Sequence, residues 1–169
     1  AKGVGSVAMG DNCEAKSLNS FAGGVQCEVS KDAADPNKND SHASFAYGHS
    51  VKIFSSFDCM AAGYTVKINR NCERSFAFGD NLEITNAQDA FVFGMGKKTY
   101  NSSDPSNPGE GARLENNIRR SFMVGFNCSN PALFVSGGQD VIDDSEPPSG
   151  PAQNTSRVGI GTSYEYQNS

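Results

Sequence analysis

Ser75-Phe76-Ala77-Phe78-Gly79-Asp80-Asn81-Leu82-Glu83-Ile84 reads as a short strand, a tight turn at Gly79 and a second short strand. Phe76 and Phe78 alternate with Ser75 and Ala77, and Leu82 and Ile84 alternate with Asn81 and Glu83. Period-two alternation on both sides of a Gly-Asp-Asn corner is a strand-turn-strand signal. This unit recurs along the chain. Its first half reappears as Ser6-Val7-Ala8-Met9-Gly10, Ser20-Phe21-Ala22-Gly23-Gly24, Ser44-Phe45-Ala46-Tyr47-Gly48 and Cys59-Met60-Ala61-Ala62-Gly63. Looser copies are Ala90-Phe91-Val92-Phe93-Gly94, Ser121-Phe122-Met123-Val124-Gly125 and Leu133-Phe134-Val135-Ser136-Gly137. The closing glycines Gly10 to Gly24, Gly48 to Gly63, Gly63 to Gly79 and Gly79 to Gly94 lie 14, 15, 16 and 15 residues apart.

The second half repeats as well. Its apolar pairs are Cys13/Ala15, Cys27/Val29, Val51/Ile53, Val66/Ile68 and Leu82/Ile84, and the residues between them are Glu14, Glu28, Lys52, Lys67 and Glu83. One face is apolar and the other charged. Two short strands and two corners per unit predict an all-β solenoid of parallel strands, in which each unit buries its apolar face only against its neighbours. About eight units, spaced at about 4.8 Å, make a rod roughly 35–40 Å long. The repeat glycines Gly10, Gly24, Gly48, Gly63, Gly79, Gly94 and Gly125 are expected where the corner needs positive φ or close backbone passage.

Composition agrees with thin β structure. Apolar residues make up 37% of the 169 residues, Trp is absent and Gly numbers 18. The net charge of −5 and the lack of a basic patch argue against a nucleic-acid partner. No apolar run approaches the roughly 18 residues of a membrane-spanning helix, so no membrane insertion is expected. The odd count of five cysteines argues against a closed disulfide framework within one chain. Cys13, Cys27 and Cys128 share a slot with Val51, Val66 and Leu82 and read as small buried hydrophobes. Cys59 occupies the slot of Ser6, Ser20, Ser44 and Ser75, and Cys72 has no clear column.

Two stretches break the period: residues 31–41, rich in Asp, Asn and Lys, and residues 95–117, with Pro105, Pro108 and Gly109. Turn formers without alternation predict loops thrown out from the corners. Residues 1–138 then form the repeat domain. Residues 139–169 form an acidic, proline-rich linker and a strand-like segment, Arg157-Val158-Gly159-Ile160-Gly161-Thr162. The opening Ala1-Lys2-Gly3-Val4-Gly5 already reads as part of a repeat, as expected of a fragment.

The repeat resembles the head repeat of trimeric autotransporter adhesins, the YadA-like head, with Ser6-Val7-Ala8-Met9-Gly10 and Ser75-Phe76-Ala77-Phe78-Gly79 matching its unit well. The resemblance covers residues 5–94 strongly and 118–138 weakly. It implies a left-handed parallel β-roll that forms a homotrimer. Five cysteines and a Phe-filled second slot depart from the bacterial adhesins. The Arg157–Thr162 string looks like the segment preceding the self-cleaving intramolecular chaperone of bacteriophage tail fibres and tailspikes, which is released after a serine; the end at Ser169 fits that pattern. Fibres of that kind fold in the host cytoplasm, where thiols stay reduced. The resemblance therefore implies a virion tail-fibre segment that attaches to a bacterial surface glycan or outer-membrane protein. The alternatives are the head of a trimeric autotransporter adhesin on a bacterial cell surface and a purely structural shaft.

Several residues are candidates for chemistry or contact. The column Ala8, Ala22, Ala46, Ala61 and Ala77 predicts close packing along a three-fold axis. Tyr47 shares a core slot with Met9 and Phe78. Receptor contacts are expected on the two loops, at Asn37, Lys38 and Asn39 and at Lys97, Lys98, Tyr100 and Asn101, because binding residues concentrate on loops held by a rigid scaffold. The Asp35–Asp40 loop offers alternating oxygen ligands but lacks the turn glycine and distal Glu of a calcium loop, so no metal is assigned. His42 and His49 have no nucleophile partner, and the carboxylates Asp140, Asp143, Asp144 and Glu146 lie in the linker. No enzyme activity and no cofactor are expected.

Overall fold

The computed structural model describes residues 1–30, 41–97, 99–101, 104–109, 112–137 and 157–160. Its strands are β1 (Val7–Asp11), β2 (Glu14–Ala15), β3 (Phe21–Val25), β4 (Glu28–Ser30), β5 (Phe45–His49), β6 (Lys52–Phe54), β7 (Met60–Asn69), β8 (Phe76–Thr85), β9 (Ala90–Met95), β10 (Thr99–Asn101), β11 (Asp104–Gly109), β12 (Leu114–Asn116), β13 (Ser121–Phe126), β14 (Leu133–Ser136) and β15 (Arg157–Ile160). The chain is all-β, with no helix among the described residues. Thirteen strands join one mostly parallel sheet, and β10 and β11 form a separate antiparallel pair.

The sheet contains two parallel ladders. The first runs β1-β3-β5-β7-β8-β9-β13 and aligns Gly10, Gly24, Gly48, Gly63, Gly79, Gly94 and Gly125 as successive partners. The second runs β2-β4-β6-β7-β8-β12 and aligns Ala15, Val29, Ile53, Ile68, Ile84 and Asn116. The long strands β7 and β8 belong to both. One strand-corner-strand unit forms a rung.

Corner chemistry fixes the register. Gly79 has φ of +144°, and a Cβ there would sit 1.8 Å from the carbonyl oxygen of Gly94. Only glycine tolerates that conformation and that approach. Two residues later Asn12, Gln26, Ser50, Thr65 and Asn81 all have φ between 51 and 56°. This left-handed conformation is unusual for a side-chain-bearing residue and is uncommon above all for β-branched Thr65. Hydrogen bonds between rungs hold it there: Gln26 N–H donates to Asp11 O (2.8 Å) and Ser50 N–H to Val25 O (2.9 Å).

At the other corner, inward hydroxyls add to the backbone bonds between rungs, such as Met60 N–H to Ser75 O at 3.0 Å. Ser75 Oγ donates to Ala87 O and accepts from Ala90 N–H, both at 3.1 Å. Ser44 Oγ accepts from Cys59 N–H at 3.2 Å. Cys59 takes the same place one rung on, its thiol donating to Cys72 O at 3.1 Å. Cys72 itself continues an inward column. Cys72 N–H donates to Ser56 Oγ, and Ser56 N–H donates to Ser41 Oγ, each at 3.2 Å.

Burial pushes the Cys59 thiol up from 9.0 to about 12. The unfolded thiol ionises first as pH rises, so the folded state alone keeps its proton between these values. The associated stability is whole below pH 9 and is lost as pH climbs through 12. Cys59→Ser puts the residue of the neighbouring rungs in the same slot without an ionisable thiol. It should therefore lose about 2 kcal/mol less than the parent chain on going from about pH 8 to about pH 10.5. Urea midpoints at the two pH values check this, and identical declines in parent and variant would refute it.

The inward residues of both ladders share one cluster. Ala22, Ala46, Ala61, Ala77 and Val92 come from the first, and Val29, Val51, Ile53, Val66, Ile68, Leu82, Ile84 and Leu114 from the second, all fully buried. Cys27 and Cys72 are also fully buried, whereas Cys13 and Cys128 are only partly so. The five cysteines are free.

Four expectations are corrected. The alanine column does not face outward: Ala22, Ala46, Ala61 and Ala77 have no exposed surface within the single chain, so they cannot pack against another copy. Only Ala8, on the first rung, is partly buried. On these rungs the gap between the ladders takes alanine on the first-ladder side, and it takes Val92 and Met123 on the rungs that follow. Tyr47 is half exposed rather than in a core slot, as is Met9. Leu133–Gly137 is not another parallel copy, because β14 runs antiparallel to β13, and β15 antiparallel to β14. The second insertion is shorter than residues 95–117. Leu114 and Asn116 pair with Leu82 and Ile84 and supply the second strand of an interrupted rung.

Candidate functional site

The first ladder carries on its outward side the residues that alternate with the buried alanines. Rung by rung these are Val7/Met9, Phe21/Gly23, Phe45/Tyr47, Met60/Ala62, Phe76/Phe78, Phe91/Phe93 and Phe122/Val124. None is charged, in a chain that is 20% charged. Parallel in-register pairing puts like on like, so rings stack. Phe21 and Phe45 lie 4.7 Å apart between centroids, Phe76 and Phe91 5.1 Å, and Phe78 and Phe93 5.3 Å. Ring on ring hides part of each Phe, yet the outer surface stays open. Seven rungs at about 4.8 Å give an apolar strip about 30 Å long. Contiguous apolar patches of this kind mark interaction surfaces.

The outward side of the second ladder is the opposite in character. Glu14, Glu28, Lys52, Lys67, Glu83 and Glu115 occupy one register position on successive rungs. Lys16 Nζ bonds Glu28 Oε1 at 2.9 Å and pairs with Glu14, and Arg113 pairs with Glu83. These bonds hold the Lys16 ammonium above its ordinary range, chiefly through Glu14.

The insertion of the second loop has a built neck. Asn81 Nδ2 donates to Lys97 O and to Ala112 O, each at 3.4 Å, so one corner amide holds both ends. Gly96 N–H donates to Asp80 O at 2.9 Å. Beyond the neck, β10 pairs with β11, Thr99 opposite Gly109 and Tyr100 opposite Pro108. Lys97 is exposed at the neck, and Tyr100 and Asn101 stand on the same hairpin. Lys98, Asn37, Lys38 and Asn39 lie outside the described residues, as do Asp35 to Asp40 and Asp140, Asp143, Asp144 and Glu146.

The histidines sit against aromatic rings. His42 lies 5.7 Å from Phe57, and His49 lies 4.8 Å from Tyr64 with planes 17° apart. Among the described residues no group of three His, Cys, Asp or Glu side chains could hold a metal ion.

Sequence reasoning missed the outward Phe columns as a surface. The signal lay in the unit itself: Ser75 and Ala77 share one side and are small in almost every copy, so that side is the narrow interior. No family model matches the chain, and neither the curated proteins nor the solved structures provide a match.

Proposed function

We propose that the chain is a receptor-binding segment of a bacteriophage tail fibre. Two further copies cover its apolar strip to form a homotrimer, and each copy is a left-handed parallel β-roll whose two sides are the ladders described above. The corner insertions contact a bacterial surface glycan or outer-membrane protein, without cleaving it. The observation that carries this reading is the uncharged strip of stacked Phe rings. A second copy of the same strip is its natural cover, because it presents no charge, no insertion and the same spacing of rungs. The five free thiols are in keeping with folding in a reducing cytoplasm.

Phe78→Glu tests the assembly. Its side chain is partly exposed, so the chain should fold with an unchanged β-type circular dichroism spectrum. Covering one Phe is worth about 2 kcal/mol per copy, and a buried unpaired carboxylate opposes association further. Light scattering should then give the mass of one chain where the parent gives three. A trimeric variant, or a monomeric parent, refutes the interface. Attachment is tested separately with whole cells and arrayed glycans. The parent trimer should bind, and the protein lacking residues 97–112 should attach to cells more weakly while keeping its mass. Undiminished binding would leave the insertion a part of a structural shaft.

A further inference from the structure

An open groove of about 410 Å³ crosses three successive rungs at the left-handed corner, away from the apolar strip. Two rows of side chains line it: Asn12, Gln26 and Ser50 from the corner, and Glu14, Glu28 and Lys52 from the second ladder. The rows are polar and balanced in charge, since Lys16, which pairs with both Glu14 and Glu28, and Lys52 together offset the two carboxylates. Ser50 Oγ donates to Gln26 Oε1 at 3.2 Å. That leaves the Gln26 amide donors free for a ligand, and Asn12 and Lys52 have no side-chain partner among the described residues. Both hydrogen-bond donors and acceptors therefore face the same depression. His49 immediately precedes Ser50 on the corner, and its ring backs the half-exposed Tyr64 on the next rung.

We propose that this groove is a binding subsite for a neutral, hydroxyl-rich oligosaccharide. The chemistry fits on three counts. A balanced set of amide, carboxylate and ammonium groups suits hydroxyls, which both donate and accept, better than it suits an anion or a cation. The rung spacing of about 4.8 Å is close to the length of one sugar ring, so successive rings meet equivalent side chains. The Tyr64 face offers the apolar side of a ring a stacking surface while its hydroxyl stays wet. Asn12, Gln26 and Lys52 donate, Glu14 and Glu28 accept, and Tyr64 stacks. This assignment rests on the attachment reading and gives it a ligand class and a site outside the insertions.

The test uses the full chain and a panel of immobilised neutral bacterial polysaccharides, followed by calorimetry with a neutral tetrasaccharide cut from a positive one. Gln26→Gly with Ser50→Gly removes two side chains while glycine keeps the left-handed corner. That double variant, and Lys52→Ala separately, should each weaken tetrasaccharide binding about ten-fold, with melting temperatures held. Tyr64→Ala should weaken it at least as much. The protein without residues 97–112 should still bind the tetrasaccharide. Parent-like affinity in the groove variants overturns the subsite. If those variants bind normally while the shortened protein fails, the subsite is wrong and attachment through the insertion stands. A parent chain that binds nothing on the panel overturns the subsite, and if it also fails to bind cells, the attachment reading falls with it.

Discussion

Gly79→Val is expected to remove about 4 kcal/mol or more of stability, beyond any change on the outer faces. Two costs combine. The backbone at φ of +144° lies in a region closed to a β-branched residue. The added Cβ would also sit 1.8 Å from Gly94 O, a backbone atom fixed by its own ladder. Relief by a shift is blocked from the other side. A Cβ on Gly63 would meet Gly79 O at 1.8 Å, so the three glycines pass one another at the closest distance backbone allows. Gly137→Val is the control, because a Cβ there meets nothing nearer than Arg120 O at 3.4 Å. Urea titration should show Gly79→Val unfolding far below Gly137→Val. Midpoints that agree within about 0.5 kcal/mol would mean the glycine column is not sterically required.

Ala77→Arg should abolish folding of the single chain. Ala77 is wholly covered and lies between Ala61 and Val92 in the ladder. A guanidinium at that point has no carboxylate partner in the cluster, which is made of apolar residues. Burying an unpaired charge costs several kcal/mol, comparable to the whole stability of a domain. The expected product is insoluble, or soluble without β-type circular dichroism. Phe78→Glu, one residue away, should instead give a folded monomer. The pair reads out which side of the strand faces inward. A folded, monomeric Ala77→Arg would restore the alanines to an interface between copies and sink the inward placement.

The rung was legible because its corners are. Gly79-Asp80-Asn81 and its counterparts fix the phase of every complete copy. Which side faces in was not legible from alternation alone, since period two separates two sets without ranking them. Phe76 and Phe78 are the more apolar set, and apolarity alone puts them inside. The space between the ladders takes only Ala77 and the Ser75 hydroxyl. Cys72 escaped its column because its rung has one extra residue between Asn69 and Ser75. Leu114 escaped because an insertion separates it from β9, whose second half it completes. Leu133–Gly137 carried the right letters in the wrong direction: strand residues fix the alternation of β14 but not its polarity. For the candidate site, the neck at Asn81 depends on carbonyls of Lys97 and Ala112 that no side-chain pattern announces.

The reversal at β14 has a consequence for colloidal behaviour. In-register parallel strands with like residues stacked on like are also the arrangement of amyloid, where each exposed last strand templates the next chain. Here β13 is met by a strand of opposite polarity, followed by a short strand of opposite polarity again. An incoming β1 cannot lay its glycine on Gly125 and continue the ladder. The reversed strands β14 and β15 thus terminate the first ladder at β13 and stop its in-register repeat there.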